Sequence, residues 1–199
     1  MTPQISSRRS LLGAGVLGAA LAVVASRTVS ASVPPSTTTT TPPPQQPTEA
    51  DTTLLTAAMA LELTARDLYD TAIAAGAEPS VLLVMSEHHA AYAQAIAGMI
   101  GRSASTRVDS VYDDNEAAFA SSDTAAVLAA GYDLESAAVA THTELLGVIE
   151  AVDAAKLIAS IIAVESQHCV VLADAAGNGD DLDALLTNTA TAIPLEELS

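Results

Sequence analysis

The chain has 199 residues, half of them hydrophobic, and carries seven basic residues against 24 acidic ones, a formal net charge of −17. Because so acidic a surface repels phosphate groups and only 3% of the residues are aromatic, we expect neither nucleic acid nor anionic lipid as a partner. The single cysteine, Cys169, excludes an intramolecular disulfide and a cysteine-based zinc site. The length supports one ordinary domain with appendages.

The first 31 residues have the order of an export signal. Arg8 and Arg9 precede an apolar run, Leu11 to Ala25, and the small residues Val29-Ser30-Ala31 offer a cleavage site. The arginine pair resembles the twin-arginine class, which exports folded proteins, and an ordinary secretory signal is the alternative. The apolar run is too short for a good membrane span. We therefore expect an exported protein of the periplasm, envelope or medium, without stable membrane insertion unless an uncleaved signal acts as an anchor.

Composition divides the rest of the chain into a linker, a helical region and a tail. Residues 32–48 contain six of the nine prolines and many threonines, which favours an extended spacer. Alanine and leucine then dominate and strand-like alternation is scarce, so residues 49–177 are predicted to be all-α. Residues 178–199 are predicted to be a loose acidic tail with one short helix. The four predicted helices cover approximately residues 51–75, 79–100, 123–150 and 154–176. Thr48 and Asp51 predict a capping box at the start of the first helix, and Asp153 is the predicted N-cap of the fourth.

The connections between these helices predict their arrangement. Short connections join the first helix to the second and the third to the fourth, so each pair is expected to be antiparallel. The segment 102–122 between the pairs is long enough to run back along a helix of about 33 Å. This connection therefore permits a crossover, which is the ferritin-like form of the four-helix bundle.

Glutamate and histidine interrupt the apolar seams of three predicted helices. Glu62 lies in the first, Glu135 and His142 in the third, and Glu165 and His168 in the fourth. Burying carboxylates costs several kcal/mol, about 3–5 for an unpaired one, unless they are paired or bind a cation. Glutamate and histidine are ligands of iron and manganese in helical bundles. The predicted seams are Leu55, Ala58, Glu62, Ala65, Tyr69 and Ala72; Leu128, Gly131, Glu135, Ala138, His142, Leu145 and Ile149; and Ala154, Ile158, Ile161, Glu165, His168 and Leu172.

The second predicted helix is the weak point of such a site. Its best apolar seam directs His89 inward and Glu87 outward, whereas a rotated helix would present His88 or, after a further rotation, Glu87. We predict His89 as the ligand and keep His88 and Glu87 as secondary candidates. His142, about 10 Å from Glu135 along its helix, is a third secondary candidate. We expect it to contact the ligands and not the metal itself. The seam of this helix is Leu82, Met85, His89, Tyr92, Ile96 and Met99.

The two halves of the helical region resemble each other. Glu62 and Tyr69 are seven residues apart, as are Glu135 and His142, and each partner helix carries a histidine. Two copies of a helix pair that face each other would place a two-metal site between four helices. Tyr69 is expected to be a core aromatic residue or a hydrogen-bond partner.

Three segments resemble a known family. The segments are 60–69, 134–140 and 162–168, the last of which reads Ile-Ala-Val-Glu-Ser-Gln-His. They resemble the exported bacterial ferritin-like domain family, which is related in fold to ferritins and rubrerythrins. The resemblance covers roughly residues 51–177 and implies a four-helix bundle with a dinuclear metal centre, often behind a twin-arginine signal.

The resemblance also implies a ligand set. Glu62, Glu135, Glu165 and His168 match the carboxylates and the Glu-x-x-His motif of the family by position. The second helix departs from the pattern, since Glu87-His88-His89-Ala90 stands where a second Glu-x-x-His is expected.

Two functional hypotheses follow. The first is an exported ferritin-like protein with a dinuclear centre of iron, or of iron and manganese, that oxidises or handles metal. Its predicted ligands are Glu62, His89, Glu135, Glu165 and His168. The alternative is a non-catalytic structural or interaction module of the cell envelope with a degenerate, metal-free site. Neither hypothesis decides whether the protein is an enzyme or forms a homodimer. The extended linker at residues 32–48 argues against a closed ferritin shell.

Overall fold

The computed structural model describes residues 42–77 and 80–198, and all regular structure within these ranges is helical. The predicted signal, residues 1–31, and the first part of the linker lie outside the described residues. A π-helical turn, Asp174–Asn178, follows the fifth helix, and a 3-10 turn, Leu195–Leu198, closes the described chain. The α-helices are α1 (Glu49–Ala74), α2 (Val81–Ile100), α3 (Asp109–Phe119), α4 (Thr124–Val148), α5 (Val152–Ala173) and α6 (Leu182–Leu186).

Two helix pairs form the bundle, α1 with α2 and α4 with α5, each joined by a short connection. The longer connection between the pairs packs against α1 and α4. The predicted all-α bundle of two pairs is therefore confirmed. By length and composition only, Val152–Asn178 could cross a membrane, a property that core helices of soluble proteins share.

The crossover between the pairs differs from the predicted loop, because it contains helix α3. Val111, Tyr112 and Phe119 of this helix are buried, and the ring of Phe119 meets the ring of Tyr69 edge-on, with centroids 5.5 Å apart. Because acidic residues alternate with these apolar ones, the apolar face of α3 is too short and too polar to be recognised from the periodicity of the sequence. The tertiary contacts with α1 and α4 stabilise the helix instead.

The ends of α1 and α5 meet through one buried carboxylate. The predicted capping box is confirmed, since the Thr48 side chain accepts from the Asp51 amide and the Asp51 carboxylate accepts from the Thr48 amide. The same carboxylate also accepts from the amides of Glu150 and Ala151, at 2.8 and 3.2 Å. Asp51 therefore ties the start of α1 to the connection between α4 and α5.

The predicted N-cap of the last long helix, Asp153, is wrong. Helix α5 begins at Val152, and the amides of Val152 and Asp153 donate to the carbonyl oxygens of Pro44 and Gln45. The end of the linker thus satisfies the first amides of α5, and no side-chain cap is needed. The Asp153 carboxylate instead accepts from Gln46 and Lys156.

The C-terminal segment is packed against the bundle rather than loose. Asn188 donates to the Ser136 carbonyl, the Ile193 amide donates to the Thr141 hydroxyl, and Leu198 is buried. The segment therefore runs beside α4. The short helix predicted within it is α6.

The core consists of two large apolar clusters with buried polar residues between them along the helices. Every predicted seam residue of α1 and α5 is buried, and of the seam predicted for the third helix only Ile149, which follows the last residue of α4, is half-buried. The first cluster includes Leu68, Tyr69, Leu82, Phe119 and Leu172, and the second includes Leu55, Ala93, Ile96, Leu145 and Ile158.

Candidate metal centre

A polar layer of three glutamates and three histidines lies at mid-height in the bundle. One residue comes from α1, one from α2, and two each from α4 and α5. The side chains therefore converge from four helices into the space between the two apolar clusters. The fractional exposures are 1% for Glu62, 1% for His89, 0% for Glu135, 0% for His142, 0% for Glu165 and 5% for His168.

Glu135 is the most fully bonded carboxylate of the polar layer. The Tyr69 hydroxyl donates to its Oε1 at 2.7 Å, His89 Nε2 lies 2.9 Å from the same oxygen, and His168 Nδ1 lies 3.2 Å from Oε2. Burial raises the pKa of Glu135, but the neighbouring His89 and His168 outweigh it and hold this pKa well below its usual range. Tyr69 is thus the hydrogen-bond partner that the sequence suggested.

His89 links the two sides of the polar layer. Its Nδ1 lies 2.6 Å from Glu62 Oε2, and its Nε2 faces Glu135. Burial lowers the pKa of His89, but the two carboxylates outweigh burial and raise this pKa well above its usual value. Both ring nitrogens of His89 therefore face carboxylate oxygens, an arrangement that favours the imidazolium form.

The other side of the polar layer is less well bonded. His142 Nδ1 lies 2.9 Å from Glu165 Oε2, and its Nε2 lies 3.4 Å from Glu62 Oε1. Glu62 Oε1, His142 Nε2 and Glu165 Oε1 are buried without a hydrogen-bond partner among the described residues. Burial raises the pKa of Glu165, and its neighbour Glu62 raises it further. Although burial lowers the pKa of His142, Glu165 and Glu62 raise it to about 9.

The structure separates the secondary candidates. Glu87 is exposed, so the orientation of α2 predicted from its apolar seam is confirmed, while the ligand role of His89 stays a prediction. His88 is half-buried, and its Nδ1 lies 2.9 Å from His168 Nε2, with the two rings stacked. Burial and the neighbouring His168 lower the pKa of His88. Of the three secondary candidates, only His142 lies in the polar layer.

The sequence interpretation missed the role of Ser86. Ser86 precedes His89 by three residues, as Glu165 precedes His168, so the helix-two counterpart of Glu-x-x-His is Ser-x-x-His. Ser86 is 6% exposed and donates to Asp70 Oδ1 at 2.6 Å, away from the polar layer. The residue of α2 that corresponds to Glu165 is therefore Ser86, and not Glu87 as the sequence comparison assumed. Equal spacing to the two buried histidines was the signal that could have shown it.

The residues of the polar layer fit a metal ion. Ligand atoms of His89, Glu135 and His168 lie within 4.8 Å of one another, and so do those of Glu62, His89 and Glu165. Carboxylate and imidazole ligands suit iron, manganese and zinc. A cation would also provide a partner for the buried oxygen and nitrogen atoms that now lack one.

Access to the polar layer is narrow. Its most exposed member is His168, beside the half-buried His88 between α2 and α5. A surface groove of about 700 Å³ is lined by Arg102, Arg107 and Val108 and by none of the polar-layer residues. The side of the layer nearest to solvent is therefore the one formed by His168 and His88.

Together, the helix pairs and the buried carboxylate–imidazole layer define an all-helical bundle that can hold metal in its core. The family model of the ferritin-like domain matches residues 50–178, more than half of the chain. The chain therefore belongs to the ferritin-like domain family. No curated protein and no solved structure gives a significant match to it.

Proposed function

We propose that this protein binds a dinuclear metal centre, of iron or of iron and manganese, in the polar layer. The proposed ligands are Glu62, His89, Glu135, Glu165 and His168. The observation that carries the proposal is the set of three buried polar atoms without partners in this layer. Each such atom costs about 1–3 kcal/mol of desolvation, which a bound cation would offset.

A redox-active metal pair would supply electron transfer to oxygen or peroxide, and the same site would serve metal handling. The chain itself provides the binding and the environment. Three carboxylates balance the metal charge, and Tyr69 holds Glu135 in place through its 2.7 Å hydrogen bond. The apolar clusters on either side keep bulk water out, which strengthens every electrostatic interaction in the polar layer.

Elemental analysis of the purified protein after reconstitution with Fe²⁺ or Mn²⁺ tests the proposal directly. We expect about two metal ions per chain, and less than about 0.2 would overturn the proposal. Glu62→Gln should lose most of the metal, since it removes a buried ligand charge. Glu87→Gln is the matched control, because the same change is made at an exposed glutamate of α2.

A metal-free structural module of the envelope is the second candidate. Ser86 removes one carboxylate from the expected pattern, and most polar-layer atoms already pair with one another. This alternative predicts that Glu62→Gln leaves the stability of the metal-free protein unchanged or raises it, because a buried charge disappears. The metal proposal predicts instead that Fe²⁺ or Mn²⁺ raises the melting temperature of the unmodified protein and not of Glu62→Gln.

We also propose export by the twin-arginine route, supported by Arg8-Arg9 and the apolar run that follows them. Export of the folded protein would allow metal to be inserted before it leaves the cytoplasm. The double variant Arg8→Lys/Arg9→Lys should accumulate inside the cell, and Arg27→Lys should be exported normally. Equal export of both variants, measured by cell fractionation, would favour an ordinary secretory signal.

A further inference from the structure

The unpartnered atoms of the polar layer are grouped on one side of it. Glu62 Oε1 and His142 Nε2 are 3.4 Å apart without forming a hydrogen bond, and Glu165 Oε1 is also unpartnered. Glu62 and Glu165 also bring carboxylate oxygens within 4.8 Å of each other. Since buried polar atoms rarely lack a partner in folded proteins, this grouping indicates that a further group belongs there.

We propose that His142 is a metal ligand, which forms with Glu62 and Glu165 a metal position separate from that of Glu135 and His168. The inference rests on the proposed dinuclear centre and names a ligand outside the set that the family resemblance implies. It also makes the two metal positions chemically different.

The hydrogen bonds of His142 present its Nε2 to a metal. Nδ1 lies 2.9 Å from Glu165 Oε2, and when it donates its proton to this carboxylate the neutral imidazole has its lone pair on Nε2, which faces Glu62 Oε1. A metal-binding histidine typically donates its other ring N–H to a carboxylate or a carbonyl oxygen. A cation bound between Nε2 and Glu62 Oε1 would give both of these buried atoms a partner.

The internal repeat shows that His142 takes a place that tyrosine holds in the other half. Tyr69 follows Glu62 by seven residues and donates to Glu135 of the opposite half. His142 follows Glu135 by seven residues and faces Glu62 of the opposite half. The tyrosine completes the bonding of its carboxylate, whereas the histidine leaves an unpartnered nitrogen beside an unpartnered oxygen.

A second difference between the halves points the same way. The first half has Ser86 where the second has Glu165, so the first half lacks one carboxylate. The second half contributes an additional imidazole, that of His142, to the polar layer. The layer therefore has Glu62, Glu165 and His142 on one side and Glu135 and His168 on the other, with His89 between the two sides.

Long-range proton–nitrogen NMR of the full chain with ¹⁵N-labelled histidine tests this inference, with Zn²⁺ as a redox-silent probe. The chain has four histidines, so the spectrum is simple to assign with variants. We expect Zn²⁺ to move the Nε2 resonance of His142 while its Nδ1 keeps the proton. If the resonances of His89 or His168 move and that of His142 Nε2 does not, the dinuclear proposal stands and this inference is wrong.

The number of bound ions provides the second readout. His142→Asn should lower bound Zn²⁺ from about two ions per chain to about one, or weaken one of them by about tenfold or more. His88→Asn is the matched control, since His88 is the one histidine outside the polar layer, and it should leave the His142 signal in place. If Zn²⁺ does not bind and moves no histidine resonance, both this inference and the dinuclear proposal fail. The spectrum of the unmodified protein decides alone if His142→Asn does not fold.

Discussion

Removal of the Tyr69 hydroxyl tests how strongly the bundle holds Glu135. Tyr69 is fully buried, and its hydroxyl donates to Glu135 Oε1 at 2.7 Å. A hydrogen bond to a charged acceptor contributes about 1.5–3 kcal/mol to stability. Tyr69→Phe leaves the carboxylate buried with His89 and His168 as its remaining partners. We therefore expect the free energy of unfolding of the metal-free protein to fall by about 2 kcal/mol.

Urea unfolding followed by circular dichroism measures this change. Tyr92→Phe is the matched control, because Tyr92 is half-buried and its hydroxyl has no hydrogen-bond partner within the described part of the chain. The control should change the free energy of unfolding by less than about 0.5 kcal/mol. A Tyr69→Phe variant as stable as the control would refute the assigned hydrogen bond and its role in holding Glu135.

A substitution at Gly131 tests the same hydrogen bond, because an added side chain would crowd the Tyr69 hydroxyl. A Cβ atom at Gly131 would lie 3.2 Å from Tyr69 Oη and 3.3 Å from Leu172 Cδ2. Alanine gains about 0.5–1 kcal/mol over glycine in a helix, but overpacking costs about 1–3 kcal/mol. Gly131→Ala should therefore destabilise the protein, and less so in combination with Tyr69→Phe. Gly147→Ala, in open space on the same helix, should be neutral or stabilising.

Three further predictions concern other buried groups. Asp51→Ala removes three backbone hydrogen bonds and should lower the free energy of unfolding by about 3 kcal/mol, against less than about 1 for Asp153→Ala. Burial lowers the pKa of His142, but Glu165 raises it to about 9, above its ordinary 6.5, so the protonated form stabilises the fold. The metal-free protein should therefore lose about 3 kcal/mol as the pH rises from 6.5 to 9, and a flat stability profile would contradict this. Burial raises the pKa of Cys169 from 9.0 to about 11, so iodoacetamide at pH 8 should label it about 100-fold more slowly than a free thiol, as mass spectrometry can measure.

Helical periodicity was sufficient to predict which side chains enter the core. In α1 and α5 the seams step by three and four residues without a break, so Glu62, Glu165 and His168 could be placed inside from the sequence alone. The same reasoning turned His89 inward and Glu87 outward. These assignments succeeded because each depends on one helix and not on how its neighbours are placed.

Features that depend on two or more helices could not be predicted in this way. Helix α3 is stabilised by contacts that its own composition does not reveal, and the first amides of α5 bond to Pro44 and Gln45, which are distant in sequence. His142 was expected to stand behind the ligands, because its distance was judged from Glu135 on the same helix. Its actual partners are Glu165 and Glu62 on other helices, and their register against α4 follows from packing.

The chemistry of the polar layer favours metal binding over a purely structural role. Buried ion pairs replaced by apolar side chains of similar volume often leave stability unchanged or raise it, so a structural core has no need of three carboxylates and three imidazoles. Hydrogen bonds within the polar layer account for most of these groups, but not for Glu62 Oε1, His142 Nε2 and Glu165 Oε1. A protein that only had to fold would not require these three atoms, since apolar replacements often leave stability unchanged or raise it. Their presence in the layer is explained if a cation joins them, and the two sides of the layer would then offer it different ligands.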